Sequence, residues 1–461
     1  MRFDREKADI RFGCGLSPRI APPRDIQQMI DQLKGPDEAS DVFPIPKTET
    51  ILELARASRA ARQQRRKATT EKSRENARDA RRSVRRRVQR LALDSLANGF
   101  LRRALTVDGL RERLCAFWGD HFTASGKGVL WRHARPAYVE TAIRPHVTGN
   151  FADMLRAVAM QPLMLHYLDQ HLSVGPTSRV AQVNRTLDGL NENLAREMLE
   201  LHTLGVDGPY DQSDVRQLAR LLTGLSYNLK QGFIYRSSFA EPGPETILGV
   251  TYGQGKGRLE DIHAALDDIA THPSTAAHVA RKLAVHFVSD EPAEALVAHI
   301  AARFRDTDGD MAAVTEALLE HPAAWQPAAE NVKRPVDFIG SALRALDIVP
   351  RHIPKNDPRK MLDLLIMPLA LMGQDWTGPS SPEGWPEANE EWITPQRLAA
   401  RLQWAMSAPF ALRRVLPNPE DFALGALGHA PPQDVIRAAR AAETRAEGVG
   451  IVLASPAFQR M

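Results

Sequence analysis

The sequence predicts a mainly α-helical protein: an irregular multi-helical bundle with one small β-hairpin and an arginine-rich helical projection near its N-terminus. Three observations carry this. Apolar residues recur at three- and four-residue intervals through most of the chain. Residues 50 to 104 are rich in Ala, Arg, Glu, Lys and Gln, and contain no Gly or Pro before Gly99. The one segment with β character is 232–252, GFIYRSSFAEPGPETILGVTY, where two aromatic and β-branched runs flank a Pro/Gly turn.

In chain order, 25–34 and 49–66 read as helices separated by the proline-containing DVFPIPKT. The stretch 56–82 has almost no large apolar residue, so it is either a projecting helical hairpin or partly disordered. Leu110, Leu114, Phe117, Trp118 and His121 mark one face of the next helix. Residues 151–171 read as two short helices hinged at Pro162, and further helices are expected at 191–204, 211–224, 259–271, 273–288, 292–305, 310–320, 332–347 and 394–406. Loops fill 349–360 and 374–393. Three regions follow: 1–104 with the basic segment 56–90, a helical core 105–348, and 349–461 packed on that core.

Composition sets outer bounds. The chain has 461 residues, 43% hydrophobic and 25% charged, which is ordinary for a globular protein with a sizeable core. Cys14 and Cys115 form neither a disulfide framework nor a zinc pattern. MRFDREKADIRFGCGLSPRI has no continuous apolar run of the signal-peptide kind, and LLIMPLALMG is too short to span a bilayer, so a cytoplasmic protein is expected. The net charge of +4 hides an asymmetry. Residues 56–90 hold fifteen Arg/Lys against Glu71, Glu75 and Asp79, a local +12, which leaves −8 for the remainder. Phosphate contacts through Arg81, Arg82, Arg85, Arg86 and Arg87 would let this segment bind nucleic acid or an acidic partner. It carries no interleaved aromatics for stacking on bases, and a solvated arginine-rich helix is the plainer reading.

The polar stretch NENLAREMLELHTLGVDGPYDQSD, 191–214, is the richest in chemistry. On a straight helix Asn193, Glu197 and Glu200 share one edge of the apolar face, and His202 lies about 140° from Glu197 on the other flank. Glu192, Arg196 and Glu200 form an i, i+4 row. Gly205 stands where a glycine ends a helix, and His202 in the last turn suits the negative end of the dipole. A polar site would therefore need help from elsewhere, with His121 and His146 as donors. Glu197 would then be general base or metal ligand, Asn193, Glu200 and His202 further catalytic groups, and His121, His146 and Glu197 the ligands of a divalent metal. Hydrolysis is the reaction class these groups suit. The competing reading is a non-catalytic partner or assembly protein, with the histidines each satisfied by backbone.

Two motifs fall away. DTDGD at 306–310 lacks EF-hand spacing, and Asp310 is better read as a helix cap. YGQGKGRLED has no GK[ST] and reads as a linker. Trp376, Trp385 and Trp392 cluster in the 374–393 loop, where they either bind a sugar or peptide or pin the loop to the body.

The stretch 191–224 closely resembles the signature of the bacterial family catalogued as domain of unknown function 1800. IRFGCGLSP, FWGDHFT, IRPHVTGNFADMLRAVAMQPLMLHYLD, HPSTAAHVARKLAVHFVSD, FRDTDGDMAAVTEALLEHP and GWPEANEEWITPQRLAARLQWA agree in order, so the resemblance covers essentially the whole chain. It implies no particular reaction. It does imply kinship with proteins that are often exported and encoded beside a sulfatase-like family, a candidate partner. This chain departs from that setting in showing no export signal.

Overall fold

The computed structural model describes residues 3–184, 189–326 and 331–461. Its most extended feature is a hairpin of two long helices, Thr48–Lys67 and Glu71–Leu105, joined by a three-residue turn. The second starts where Thr70 and Ser73 form a capping box, the Thr70 Oγ1 accepting from the Ser73 amide at 3.2 Å and the Ser73 Oγ from the Thr70 amide at 3.0 Å. In the outer half of this arm only Ala61 and Ala77 are buried, one on each helix where the two pack together. The small side chains let two highly charged helices touch without burying charge.

The roots of the arm enter two different cores. Ile51 and Leu54 join the first, which gathers apolar residues between Ala8 and Trp325 from the helices Gly109–His121, Phe151–Ala159, Leu259–Thr271, Pro273–Phe287, Glu294–Asp306 and Met311–Glu320. Leu93, Leu96, Ala97, Phe100 and Leu101 join the second, built otherwise from Phe338 to Phe458. There Pro395–Leu412 packs against Arg445–Ala454, and Pro335–Ala345 against the arm's second helix. A bridge between Val332 and Arg460 ties the C-terminus to the start of this second unit. Between the cores lies a cavity of about 170 Å³, lined by Arg103, Asp120, Arg135, Arg334, Trp376 and Trp385 among others.

The architecture is mainly helical, as the periodicity predicts. The β segment is divided between two hairpins. Leu225–Asn228 pairs with Gly232–Tyr235, and Glu245–Ile247 with Val250–Tyr252, so the two runs flanking the Pro/Gly turn each find a nearer partner. Four C-terminal helices, Pro419–Leu427, Gln433–Ala441, Arg445–Ala454 and Pro456–Gln459, complete the second core. Among the described residues no helix is long and apolar enough to cross a membrane. Both cysteines are buried free thiols.

Candidate functional site

The signature helix is not straight. Asn193–Glu197 is α-helical and Met198–His202 continues as a π-turn. A π-turn takes in one more residue per turn, a device common at functional sites. It rotates His202 away from its straight-helix position and onto the apolar side, where it is 2% exposed. Gly205 follows with φ +87°, and a Cβ there would stand 3.0 Å from His278 Nδ1, so glycine is required both for the turn and for this approach.

The open carbonyls at this helix end are capped by two histidines from other helices. His121, the last residue of Gly109–His121, donates from Nε2 to the His202 carbonyl at 3.0 Å. His278, in Pro273–Phe287, donates from Nε2 to the Leu201 carbonyl at 3.2 Å. Ring centroids of His121 lie 6.2 Å from His202 and 6.1 Å from His278. All three imidazoles are held neutral. Burial comes first, aided by the Lys282 ammonium, and brings His202 down to about 3, His278 to about 4 and His121 well below its ordinary value.

The helix Pro273–Phe287 presents His278, Lys282 and His286 at four-residue spacing, one row on one face. Lys282 makes no hydrogen bond or ion pair among the described residues. Burial lowers its pKa while Glu387, Asp120 and Glu383 support its charge. His286 continues the row into a buried ion network. Its Nδ1 lies 3.2 Å from Glu387, whose other partner is Arg334 at 2.6 Å. Arg334 also donates to Asp120 at 2.7 Å, and Asp120 accepts from the Trp385 amide at 3.0 Å. Burial works against the Glu387 charge, but Arg334 and then His286 hold its carboxyl far below the usual range. Asp337 is likewise held at about 2 against burial by Arg113 and Arg103, 3.2 and 2.6 Å away.

The long 374–393 loop closes this network. Gly384, at φ +91°, lies so near Asp120 that a Cβ would stand 2.9 Å from the Asp120 carbonyl oxygen. Trp392 is buried and donates from Nε1 to the Pro386 carbonyl at 3.1 Å, with Trp385 6.3 Å away by ring centroid. The tryptophans pin the loop to the body.

Glu197 sits on the turn before the π-segment, half-buried, and its Oε2 has no hydrogen-bond partner. Burial, then Glu200 and Glu383, push its carboxyl up to about 7. Glu383 thus acts on both Glu197 and Lys282. Glu200 is engaged by Arg196 at 3.0 Å, and Arg196 reaches Glu192 at 3.4 Å, the row read from the sequence. Asn193 is exposed, and it is Asn191 whose side chain anchors the helix start, donating to the Leu168 carbonyl at 2.8 Å. His146 ends a short 3₁₀ turn, where Asp153 partly offsets the lowering of its pKa by burial. Among the described residues neither the histidines of the seam nor Glu197 makes a hydrogen bond, ion pair or ring contact with it.

The structure therefore brings His121 and His202 together, with Glu197 one turn away, and leaves Asn193 and His146 outside. Among the described residues no group of three or more His, Cys, Asp or Glu side chains is placed to hold a metal ion. The expected set of His121, His146 and Glu197 does not form one. Sequence reading missed His278, Lys282 and His286, although their spacing in HVARKLAVH was visible, and it missed Arg334, Glu383 and Glu387, which no local pattern announces. Arg81, Arg85 and Arg86 project from the arm with no partner among the described residues, while Arg82 lies 3.6 Å from Asp79 and Arg87 2.6 Å from Glu53.

A family model described as "Protein of unknown function (DUF1800)" matches residues 10–460, and the chain belongs to that family. No curated protein and no solved structure matches the chain.

Proposed function

We propose, for this member of the family, that the seam between the signature helix and the His278–Lys282–His286 row is a hydrolytic site acting on a substrate with an anionic group. One observation supports this above the others: Lys282 lies among neutral imidazoles and carboxylates with no hydrogen bond or ion pair among the described residues. Lys282 is only partly buried, so its ammonium is accessible at the seam and unpaired there among the described residues, placed to meet an anionic group. Glu197, poised near 7, suits a group that takes a proton from water as it attacks and returns it to the leaving group. Burial, reinforced by the negative charges of Glu200 and Glu383, keeps it poised. His121 and His278 spend their Nε2 protons on backbone carbonyls, so they are positioning residues.

That same satisfaction of His121 and His278 by backbone favours a second reading, a non-catalytic assembly protein for which the sulfatase-like neighbour is the natural partner to test. The deciding experiment screens chromogenic esters, phosphate esters, sulfate esters and glycosides with wild type, Glu197→Gln and Lys282→Met, each checked for native circular dichroism. A turnover lost in Glu197→Gln and raised in KM by Lys282→Met supports the hydrolase. Turnover unchanged in both variants refutes it. The absence of any turnover shifts the weight to the assembly reading.

A further inference from the structure

We infer that the helical arm docks duplex nucleic acid through one arginine-lined face, without reading its sequence. This is independent of the hydrolytic reading. The arm's basic segment carries fifteen Arg/Lys, and Arg59, Arg62, Arg65, Arg66, Lys67, Lys72, Arg81, Arg85 and Arg86 have no side-chain partner among the described residues. Surplus positive charge of this density is costly to keep on one rod unless a polyanion meets it.

The charges are not spread evenly. At 3.6 residues per turn, Arg74, Arg78, Arg81 and Arg85 fall within about 60° of one another, to one side of the seam marked by Ala77 and Val88. On the first helix Arg59, Arg62 and Arg66 also fall within about 60°, displaced in the same rotational sense from Ala61. Because the helices run antiparallel, equal senses of rotation put both rows on the same face of the hairpin. The opposite flank of the second helix carries Lys72, Asn76, Asp79 and Arg87, of which Arg87 is taken by Glu53.

The shape of the row selects the polyanion. From Arg74 to Arg85 it is straight and about 17 Å long. Duplex nucleic acid is stiff over far greater lengths and offers one charge per about 1.7 Å, roughly ten phosphates along the row. An anionic bilayer would match the charge, but the arm's outer part has no large apolar side chain to insert. It has no aromatic either, so stacking on unpaired bases is not available. Arg74 and Arg78 have only Glu71 near them, 3.9 and 3.4 Å away and exposed, a weak competitor for phosphate.

The test is fluorescence anisotropy of the full chain with a labelled random-sequence duplex of about 20 base pairs, long enough to cover the row, in rising potassium chloride. Wild type should lose about 100-fold in affinity between 50 and 200 mM salt if four phosphates are met. The quadruple variant Arg74→Gln, Arg78→Gln, Arg81→Gln, Arg85→Gln should bind at least about tenfold more weakly at 50 mM, with a shallower salt slope. Lys72→Gln with Arg87→Gln, on the far flank, should bind as wild type does. Unchanged circular dichroism and urea midpoint show that each variant folds. Equal loss in both variants overturns the assignment to this face. No duplex binding by wild type, or tighter binding to phosphatidylserine vesicles or polyglutamate at equal charge, overturns the choice of partner.

Discussion

His121 Nε2 and the carbonyl oxygen of His202 meet at 3.0 Å, and this hydrogen bond joins the helix Gly109–His121 to the end of the signature helix inside the first core. It fixes which ring nitrogen of His121 carries the proton, because a carbonyl only accepts. The Nδ1 of His121 is then a buried acceptor with no partner. His121→Ala would remove a packed ring and orphan the carbonyl together, an expected loss of about 3–5 kcal/mol. Urea unfolding measures it, and a loss below about 1 kcal/mol would mean that the helix end is held by other means.

Acid should attack the same place. His202 and His278, at about 3 and about 4, stay neutral in the fold, whereas in the unfolded chain they take up protons near 6.5. Their depressed values give stability that is present above 6.5 and is lost as pH falls towards 4. Each contributes a slope of up to about 1.4 kcal/mol per pH unit. The groups facing them are Lys282 and His121, and neither relieves the effect: one is a cation and the other is also held neutral. His202→Phe should flatten the decline between pH 6.5 and 4.5, and an undiminished slope would place the acid lability elsewhere.

Glu197 runs the other way. Its carboxyl is raised to about 7, so the fold holds a proton that the unfolded chain gives up near 4.5, and stability declines as pH rises between the two. Glu197 is only partly buried, and solvent screening discounts the effect to about 1 kcal/mol at pH 8. Glu197→Gln should therefore be more stable than wild type at pH 8 and no more stable at pH 4. A variant destabilised at both would reveal a structural hydrogen bond to the ionised form.

Arg334 holds Asp120 and Glu387 at once, with all three largely out of water. Arg334→Met alone should cost about 3–5 kcal/mol, because it strands two carboxylates. Combining it with Glu387→Gln and Asp120→Asn should recover much of that loss. A triple variant no better than the single would show that Arg334 acts through packing, against Trp392 for example.

The tight loop contact makes the last prediction. Gly384→Ala must leave the positive-φ region or displace Asp120, at about 1–3 kcal/mol. It should also quench or shift Trp385 emission on binding of any seam ligand less than wild type does. Native stability in this variant would mean that the loop is free to lift.

Most of the fold was legible because helix periodicity and end signals are local. Leu259–Thr271 begins and ends where its pattern does, and Asp310 caps its helix through Ala313 as its position before an apolar run implied. Pro162 opens the second of two short helices, as its fixed φ requires. The seam was half legible. A straight-helix projection set Glu197 and His202 on opposite flanks, and only a π-turn, which has no single-sequence signature, brings His202 into the core. The four-residue spacing of His278, Lys282 and His286 was there to be read. Arg334, Glu383 and Glu387 were not, since they arrive from a helix cap and a loop whose positions depend on the second core.

The arm's second helix is shared between a surface projection and the second core, and that has a consequence for synthesis. Leu96 and Phe100 leave the ribosome well before most of the partners that cover them, which begin at Phe338. At 5–20 residues per second, about 240 further residues keep that apolar face waiting for roughly 12–50 s. Nascent chains of this protein should therefore be clients of a chaperone that shields residues 93–104, and release from it should coincide with emergence of Pro395–Leu412.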